Sequence, residues 1–249
     1  MGKPKLLNDD GKRLDGRALD ELRPLKIAAR VLNDANGSAY VHWGKNRVLA
    51  GVYGPRECIP KHNSSPYAAQ IKCRYNMAPF CSLEEHGRSG PSRRSVELSK
   101  VIRETFENVI IAGAYPKTQI DIYIEILQSD GGTRCAAITA AAVALADAGI
   151  PLKDMVSAVA VGKVEGKISL DLSKEEDNFG QSDMPIAFAS RNGDVLLLQM
   201  DGQLTKEEIA QGLQMARNAC VKISALQAEA LRTAYDGAKN GEKQLDLSI

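Results

Sequence analysis

The stretch "TQIDIYIEILQSDGGTRCAAITAAAVALADAGIP", residues 118–151, changes its periodicity half-way along. In its first part Ile120, Ile122, Ile124 and Ile126 share one face and Asp121, Tyr123 and Glu125 the other, the alternation of a strand. From Thr133 onward the residues are small and mostly apolar. The segment stops where Gly149 can take the left-handed C-terminal position and Pro151 forbids another turn. A strand that runs through two glycines into a helix is one β-α unit, and a helix surfaced with alanine can sit tightly against a sheet. The junction Gly131-Gly132-Thr133-Arg134 is the most exposed backbone of that unit.

Outward from this unit the chain alternates strand-like and helix-like blocks with no low-complexity linker, which predicts one continuous α/β (α+β) domain over residues 1–249. Its first 20 or so residues read as extended and about 236–249 as a tail. Upstream, "LRPLKIAARVL" and "AYVHWGKNRVLAGVYG" predict three antiparallel strands, with "NDANGSA" and Gly-Lys-Asn as turns. "AAQIKCRYNMAPF" is a further strand and "CSLEEHGRSGPSRR" a charged loop. "SVELSKVIRETFENVIIAGA" predicts an amphipathic helix with Val96, Val101, Ile102, Phe106, Val109 and Ile110 on its apolar side. Downstream, "MVSAVAVGKVEGKISLDL" is a strand pair, "SKEEDNFGQSD" an acidic loop and "MPIAFASRNGDVLLLQMDGQ" a second pair. The last helix starts at the capping box Thr205…Glu208 and reaches about Leu231.

Composition excludes some functions. With 44% hydrophobic and 25% charged residues, 249 residues can bury a substantial core, and no apolar run approaches the ~18–20 residues of a membrane span. Cys58, Cys73, Cys81, Cys135 and Cys220 are widely spaced and odd in number, so neither a disulfide framework nor a C-x-x-C clamp is readable. A reducing cytoplasm is the expected location. Net charge is only +1, yet Pro55–Arg103 holds nine Lys/Arg against four acids. A basic edge on a near-neutral protein suits a phosphate polymer, and would equally be a solvated surface.

Three constellations can carry chemistry. Gly131-Gly132-Thr133-Arg134 aims backbone N–H groups, a hydroxyl and a guanidinium at one point on the positive end of a helix, a seat for a phosphate oxyanion. The same residues would serve as a tight turn with Thr133 as cap. Neither a P-loop nor a dinucleotide fingerprint is present. Arg93-Arg94 begins another helix, where cations oppose the dipole unless an anion compensates, and successive side chains diverge by ~100°. In "EEDNFGQSDMP", Asp177 and Asp183 can hold a hard cation such as Mg2+ or divide into metal ligand and acid, or merely be solvated.

Together these describe phosphoryl transfer on RNA or nucleotides. The order "YGPRE", "RYNMAPF", "PSRRSVELSKVIRETFE", "IDIYIEILQSDGGTR", "VALADAGIP", "EEDNFGQSDMP", "LLQMDGQLT" resembles the RNase PH family over nearly the whole chain, and within it the catalytic subunits of archaeal exosomes. The resemblance implies a duplicated β-α fold with mixed sheets and packed helices. It also implies 3′-to-5′ phosphorolysis of RNA, with inorganic phosphate as co-substrate and nucleoside diphosphates as products. The phosphate pocket would be Arg94, Gly132, Thr133 and Arg134. Asp177 and Asp183 would be the catalytic acids and hold Mg2+, with Asp177 protonating the departing 3′ oxygen, while Arg93, Lys61 and Arg74 would contact RNA. The implied partners are RNA, a non-catalytic RNase-PH-like chain alternating in a hexameric ring, and RNA-binding cap subunits, with no membrane. Two other readings are a tRNA-trimming ring of one kind of chain and an inactive RNA-binding ring subunit.

Overall fold

The computed structural model describes residues 5–8, 10–83 and 92–239. Glu84, Glu85, His86 and Arg88 of the charged loop and residues 240–249 of the expected tail lie outside it.

The first half is a five-stranded sheet in the order β1-β2-β3-β5-β4, from β1 (Leu25–Ala29), β2 (Gly37–Trp43), β3 (Asn46–Glu57), β4 (Gln70–Met77) and β5 (Thr118–Gln128). The first three form the expected antiparallel meander, and only β4 runs parallel to β5. Parallel neighbours need a crossover, and α1 (Arg93–Glu107) provides it, packed on β4. α2 (Thr133–Asp147) follows β5 directly. The C-terminal ends of β4 and β5 therefore point to one edge of the sheet, and the helices that follow them begin there. That edge is where α/β proteins bind anions, because helix N-termini collect at it.

The second half is an antiparallel sheet, β10-β8-β6-β7, with β9 paired to β8, built from β6 (Val156–Val164), β7 (Lys167–Leu170), β8 (Ser182–Ala189), β9 (Val195–Leu198) and β10 (Asp201–Gly202). A short α3 (Lys174–Phe179) precedes β8, and α4 (Lys206–Lys239) closes the chain against β6 and β1. The capping box of α4 is present: Thr205 N–H donates to Glu208 Oε2 at 2.9 Å and Glu208 N–H to Thr205 Oγ1 at 3.3 Å.

α2 lies between the two sheets, against β2 and β3 on one side and β6 on the other. All its residues except Arg134 and Ala146 are buried, which explains the alanines: a helix covered on all sides has no polar face to present. The approach is close enough that a Cβ on Gly37 would stand 2.2 Å from the Ala148 nitrogen. Ile120, Ile122, Ile124 and Ile126 are all buried in the same continuous core, each contributing about 1.5–3 kcal/mol.

Four expectations need correction. α1 ends at Glu107 rather than continuing to Ala114, because Ile110 leaves to bridge Leu152. Val96 is exposed and Leu98 takes the core position. The acidic segment is not all loop, since Ser173 and Glu176 cap each other and start α3. α4 runs past Leu231 to Lys239, which takes residues 236–239 out of the expected tail. The N-terminal segment is anchored to the second half: Leu6 and Leu7 pack with Val164 and Leu172, and Arg13 is fully buried. No helix among the described residues is long and apolar enough to cross a membrane.

Candidate active site

The glycine turn between β5 and α2 is held by its own backbone conformation and neighbours. Gly131 and Gly132 both have left-handed backbone, at φ 69° and 66°, so that β5 can turn at once into α2. Asn46 clamps the turn, accepting from Asp130 N–H at 2.6 Å and donating to the Gly131 carbonyl at 2.7 Å. A Cβ on Gly131 would lie 2.6 Å from the Ser173 carbonyl carbon and 2.7 Å from Lys174 N. The loop of the first half thus rests directly on the backbone that starts α3 in the second. Thr133 is buried, and the Tyr75 hydroxyl donates to its Oγ1 at 3.0 Å. Its own hydroxyl proton is left to point elsewhere, and Tyr75, missed in the sequence, is thereby a support of the loop.

Arg94 stands at the start of α1, where Ser92 accepts from Ser95 N–H and caps the helix. Arg134, the second residue of α2, donates from Nη1 to Gln199 at 2.6 Å, while its buried Nε has no hydrogen-bond partner among the described residues. The acids come from the other half. Asp177 sits on α3, and Asp183 is the second residue of β8, paired with Gly162 on one side and Asp201 on the other. Directly paired residues project to one face, so Asp201 is a third carboxylate beside Asp183. Gly202 lets β10 come in that close, since a Cβ there would stand 2.2 Å from the Gln181 carbonyl oxygen.

The electrostatics show that these groups meet. Burial pushes Asp183 up to about 7, the charge of Asp177 adds to that, and Arg134 and Arg94 oppose it. Asp177 is also raised, again first by burial, with Arg94 and Arg134 pulling it back and Asp201 pushing it further. Asp183 Oδ1 is buried and finds no hydrogen-bond partner among the described residues. The fold therefore gathers Arg94, Gly132, Thr133, Arg134, Asp177 and Asp183, all named from the sequence, and adds Asp201, Gln199 and Tyr75. Asp201 and Gln199 lie in "LLQMDGQLT", a stretch quoted above for its resemblance to the family, in which neither residue was singled out.

The other predicted RNA contacts are not part of this cluster. Arg93 is exposed beside Arg94 at the helix start. Lys61 is on a short 3-10 helix, exposed and paired with Glu57 at 2.7 Å. Arg74 alternates with Tyr75 along β4 and so faces away from the pocket.

Family models described as "3' exoribonuclease family", domains 1 and 2, match residues 21–151 and 154–219. The chain belongs to this RNase PH exoribonuclease family. Among its relatives in the family, it is 54% identical to "Exosome complex component Rrp41" of Thermococcus kodakarensis over 238 residues, 94% of this chain and 95% of that protein. The Thermoplasma acidophilum protein of the same name is 52% identical over 96% of both chains. Its RNase PH fold is close to rice Rrp46, at TM-score 0.79, 28% identity and coverage of 88% of this chain and 100% of that one. It is also close to a chain of the Archaeoglobus fulgidus exosome solved with RNA bound to the active site, at TM-score 0.76, 25% identity and coverage of 87% and 92%. Arg94, Thr133 and Arg134 fall in the first matched region, and Asp177, Asp183 and Asp201 in the second.

Proposed function

We propose that this chain is the catalytic subunit of an archaeal exosome ring, removing nucleotides from RNA 3′ ends by phosphorolysis. The observation that carries it is a pair of buried unpaired groups of opposite sign at one seam, Arg134 Nε and Asp183 Oδ1. Leaving either alone costs about 1–3 kcal/mol, and a phosphate beside a divalent cation would satisfy both.

The N-terminus of α2, Thr133, Arg134 and Arg94 bind the attacking phosphate and orient one of its oxygens toward the terminal phosphodiester. As the new P–O bond forms, the bond from phosphorus to the 3′ oxygen of the penultimate nucleotide breaks, and the terminal nucleotide leaves as a diphosphate. Asp177, whose carboxyl burial shifts upward toward the protonated form, is the group that delivers a proton to that 3′ oxygen. Among the described residues no three His, Cys, Asp or Glu side chains are assembled for a metal ion, so Mg2+, which takes few protein ligands and keeps water and phosphate oxygens, would rest on the two carboxylates and the orphaned Asp183 oxygen alone. Held by Asp183, and by Asp177 once that residue has given up its proton, it would offset the charge of the phosphate groups. Arg93 at the pocket mouth contacts the RNA backbone, and any part for Lys61 and Arg74 is confined to nucleotides that have not yet entered.

The working form is a six-membered ring with a non-catalytic RNase-PH-like chain, capped by RNA-binding subunits, in the cytoplasm, where five free cysteines stay reduced. A ring of identical tRNA-trimming chains is disfavoured by the 52–54% identity to exosome components over nearly the whole chain. An inactive subunit is disfavoured because both aspartates and Arg94, Thr133 and Arg134 are retained in one cluster. The test is incubation of the assembled protein with labelled RNA, with and without phosphate. Diphosphates that appear only with phosphate, and RNA extension in excess nucleoside diphosphate, are expected. Release of monophosphates without phosphate would overturn the proposal.

A further inference from the structure

Beneath the pocket lies a buried ionic network that the chemistry does not touch. At its centre is Asp171, 2% exposed and in left-handed backbone at φ 55°, at the point where the chain leaves β7 for α3. Its carboxylate accepts from Arg23 Nη2 at 2.6 Å, Arg23 Nε at 3.0 Å, Arg23 backbone N–H at 2.7 Å and Trp43 Nε1 at 2.9 Å. Burial raises the Asp171 pKa, but the charge and hydrogen bonds of Arg23 more than offset it and hold the carboxyl ionised. Arg23, 6% exposed, also reaches the other way: Nη1 donates to the Asp130 carbonyl and Nη2 to the Gly131 carbonyl at 3.3 Å.

One guanidinium thus joins the last two residues before the phosphate seat to the residue from which the chain turns toward Asp177. A second arginine of the same N-terminal segment completes the frame. Arg13 donates to the carbonyls of Leu170 at 2.6 Å and Asp171 at 2.8 Å, and from Nε to Glu176 at 2.7 Å, the neighbour of Asp177 on α3. Buried ion pairs of this kind contribute little net stability compared with apolar packing, so what they supply is fixed geometry. Asn46 already ties the phosphate loop to its own sheet, whereas Arg23 ties it across the seam to the acid-bearing half.

We propose that Arg23 is a positioning residue for phosphorolysis: its guanidinium, shared between the Asp171 carboxylate and the carbonyls of Asp130 and Gly131, sets the spacing between the anion seat on α2 and the acids of the second half. It touches no substrate. Its removal acts by misaligning phosphate with the scissile bond, where an error of about 1 Å can cost roughly 100-fold in rate. The proposal rests on the phosphorolytic reading of the pocket.

The test uses Arg23→Lys, which keeps the charge but cannot donate to both sides at once, and Asp171→Asn, which keeps hydrogen bonding but removes the charge. Both are assayed in the assembled complex, below their melting temperatures, by titrating phosphate at saturating RNA and measuring RNA affinity separately. The expected result is a kcat/KM for phosphate lower by at least about tenfold per folded site, with RNA affinity within about twofold of the parent. A purely structural role would lower the melting temperature and leave both parameters per folded site unchanged, and that result from either variant that assembles overturns the proposal. Failure of both to assemble while Arg23→Gln retains parental kinetics overturns it as well. If the parent itself releases monophosphates without phosphate, the reading of the pocket fails, and the positioning claim falls with it for a different and identifiable reason.

Discussion

Replacing Asp183 with asparagine should make the metal-free protein more stable and inactive at the same time. Burial and the nearby Asp177 push the Asp183 carboxyl up to about 7 from an unfolded reference of 3.8. For an acid whose folded pKa is raised, the folded state loses nothing below the unfolded pKa. It becomes progressively less stable as pH rises from about 4 to about 7, and the loss is constant above that. A gap of about three units corresponds to a ceiling of about 4 kcal/mol, and because Asp177 and Asp183 titrate as a pair, about 2 kcal/mol is the expected gain on removing one charge. The assay is denaturant and thermal unfolding in EDTA at pH 5 and pH 8. The variant should exceed the parent at pH 8 by about 4–8 °C in Tm, with a smaller difference at pH 5. Mg2+ should stabilise the parent at pH 8 and do little for the variant, since a ligand raises stability only through the site that binds it. A variant equal to or less stable than the parent at pH 8 without divalent cation would refute the account of strain in the acid pair.

Asp177→Asn should abolish turnover while RNA still binds; activity within about tenfold of the parent, under ~1.4 kcal/mol of barrier, would remove Asp177 from the mechanism. Arg94→Ala should raise the phosphate requirement steeply with RNA affinity nearly kept, and Arg93→Ala should weaken RNA binding by roughly 1–3 kcal/mol with a shallower salt slope. Paired titrations of phosphate and RNA check both, and equal loss of both affinities in both variants would mean one shared cluster. Gly131→Ala should destabilise by at least about 1–3 kcal/mol and depress phosphate use, because the new Cβ meets the backbone of Ser173 and Lys174 and the residue sits at φ 69°; unfolding and a phosphate titration measure the two effects.

Where periodicity was strong the sequence was a good guide. β5 and α2 are where the isoleucine alternation and the small-residue run place them, and Gly149 takes its left-handed cap at φ 73°. α3 was missed because a six-residue helix with one apolar residue, Phe179, carries no apolar stripe, although Ser173 and Glu176 have the same capping spacing as Thr205 and Glu208, which was read correctly. The basic stretch from Pro55 to Arg103 was legible as a charge count but not as one surface. A charge count adds residues regardless of the face they occupy, and the fold sends Arg94 to the pocket, Arg56 to Asp121, Lys61 to Glu57 and Arg74 to the far side of the sheet.

The N-terminal arginines were the least legible, and the reason is general. Arg13 finds Glu176 across 163 residues and Arg23 finds Asp171 across 148, so no local window contains both partners. A hydropathy reading also scores a buried paired arginine as exposed. Yet the site depends on such contacts more than an ordinary core does. On the proposed reading its anion donors stand on helices of the first half and its acids on the second, and a phosphate seated on α2 can attack productively only if the seam between them is fixed to a fraction of the P–O distances involved. Apolar packing tolerates small slips at little cost, whereas a guanidinium forked between one carboxylate and two carbonyls loses hydrogen bonds as soon as either side moves. That difference accounts for polar groups being placed, fully buried, at the one junction of the molecule where registration between its halves decides the chemistry.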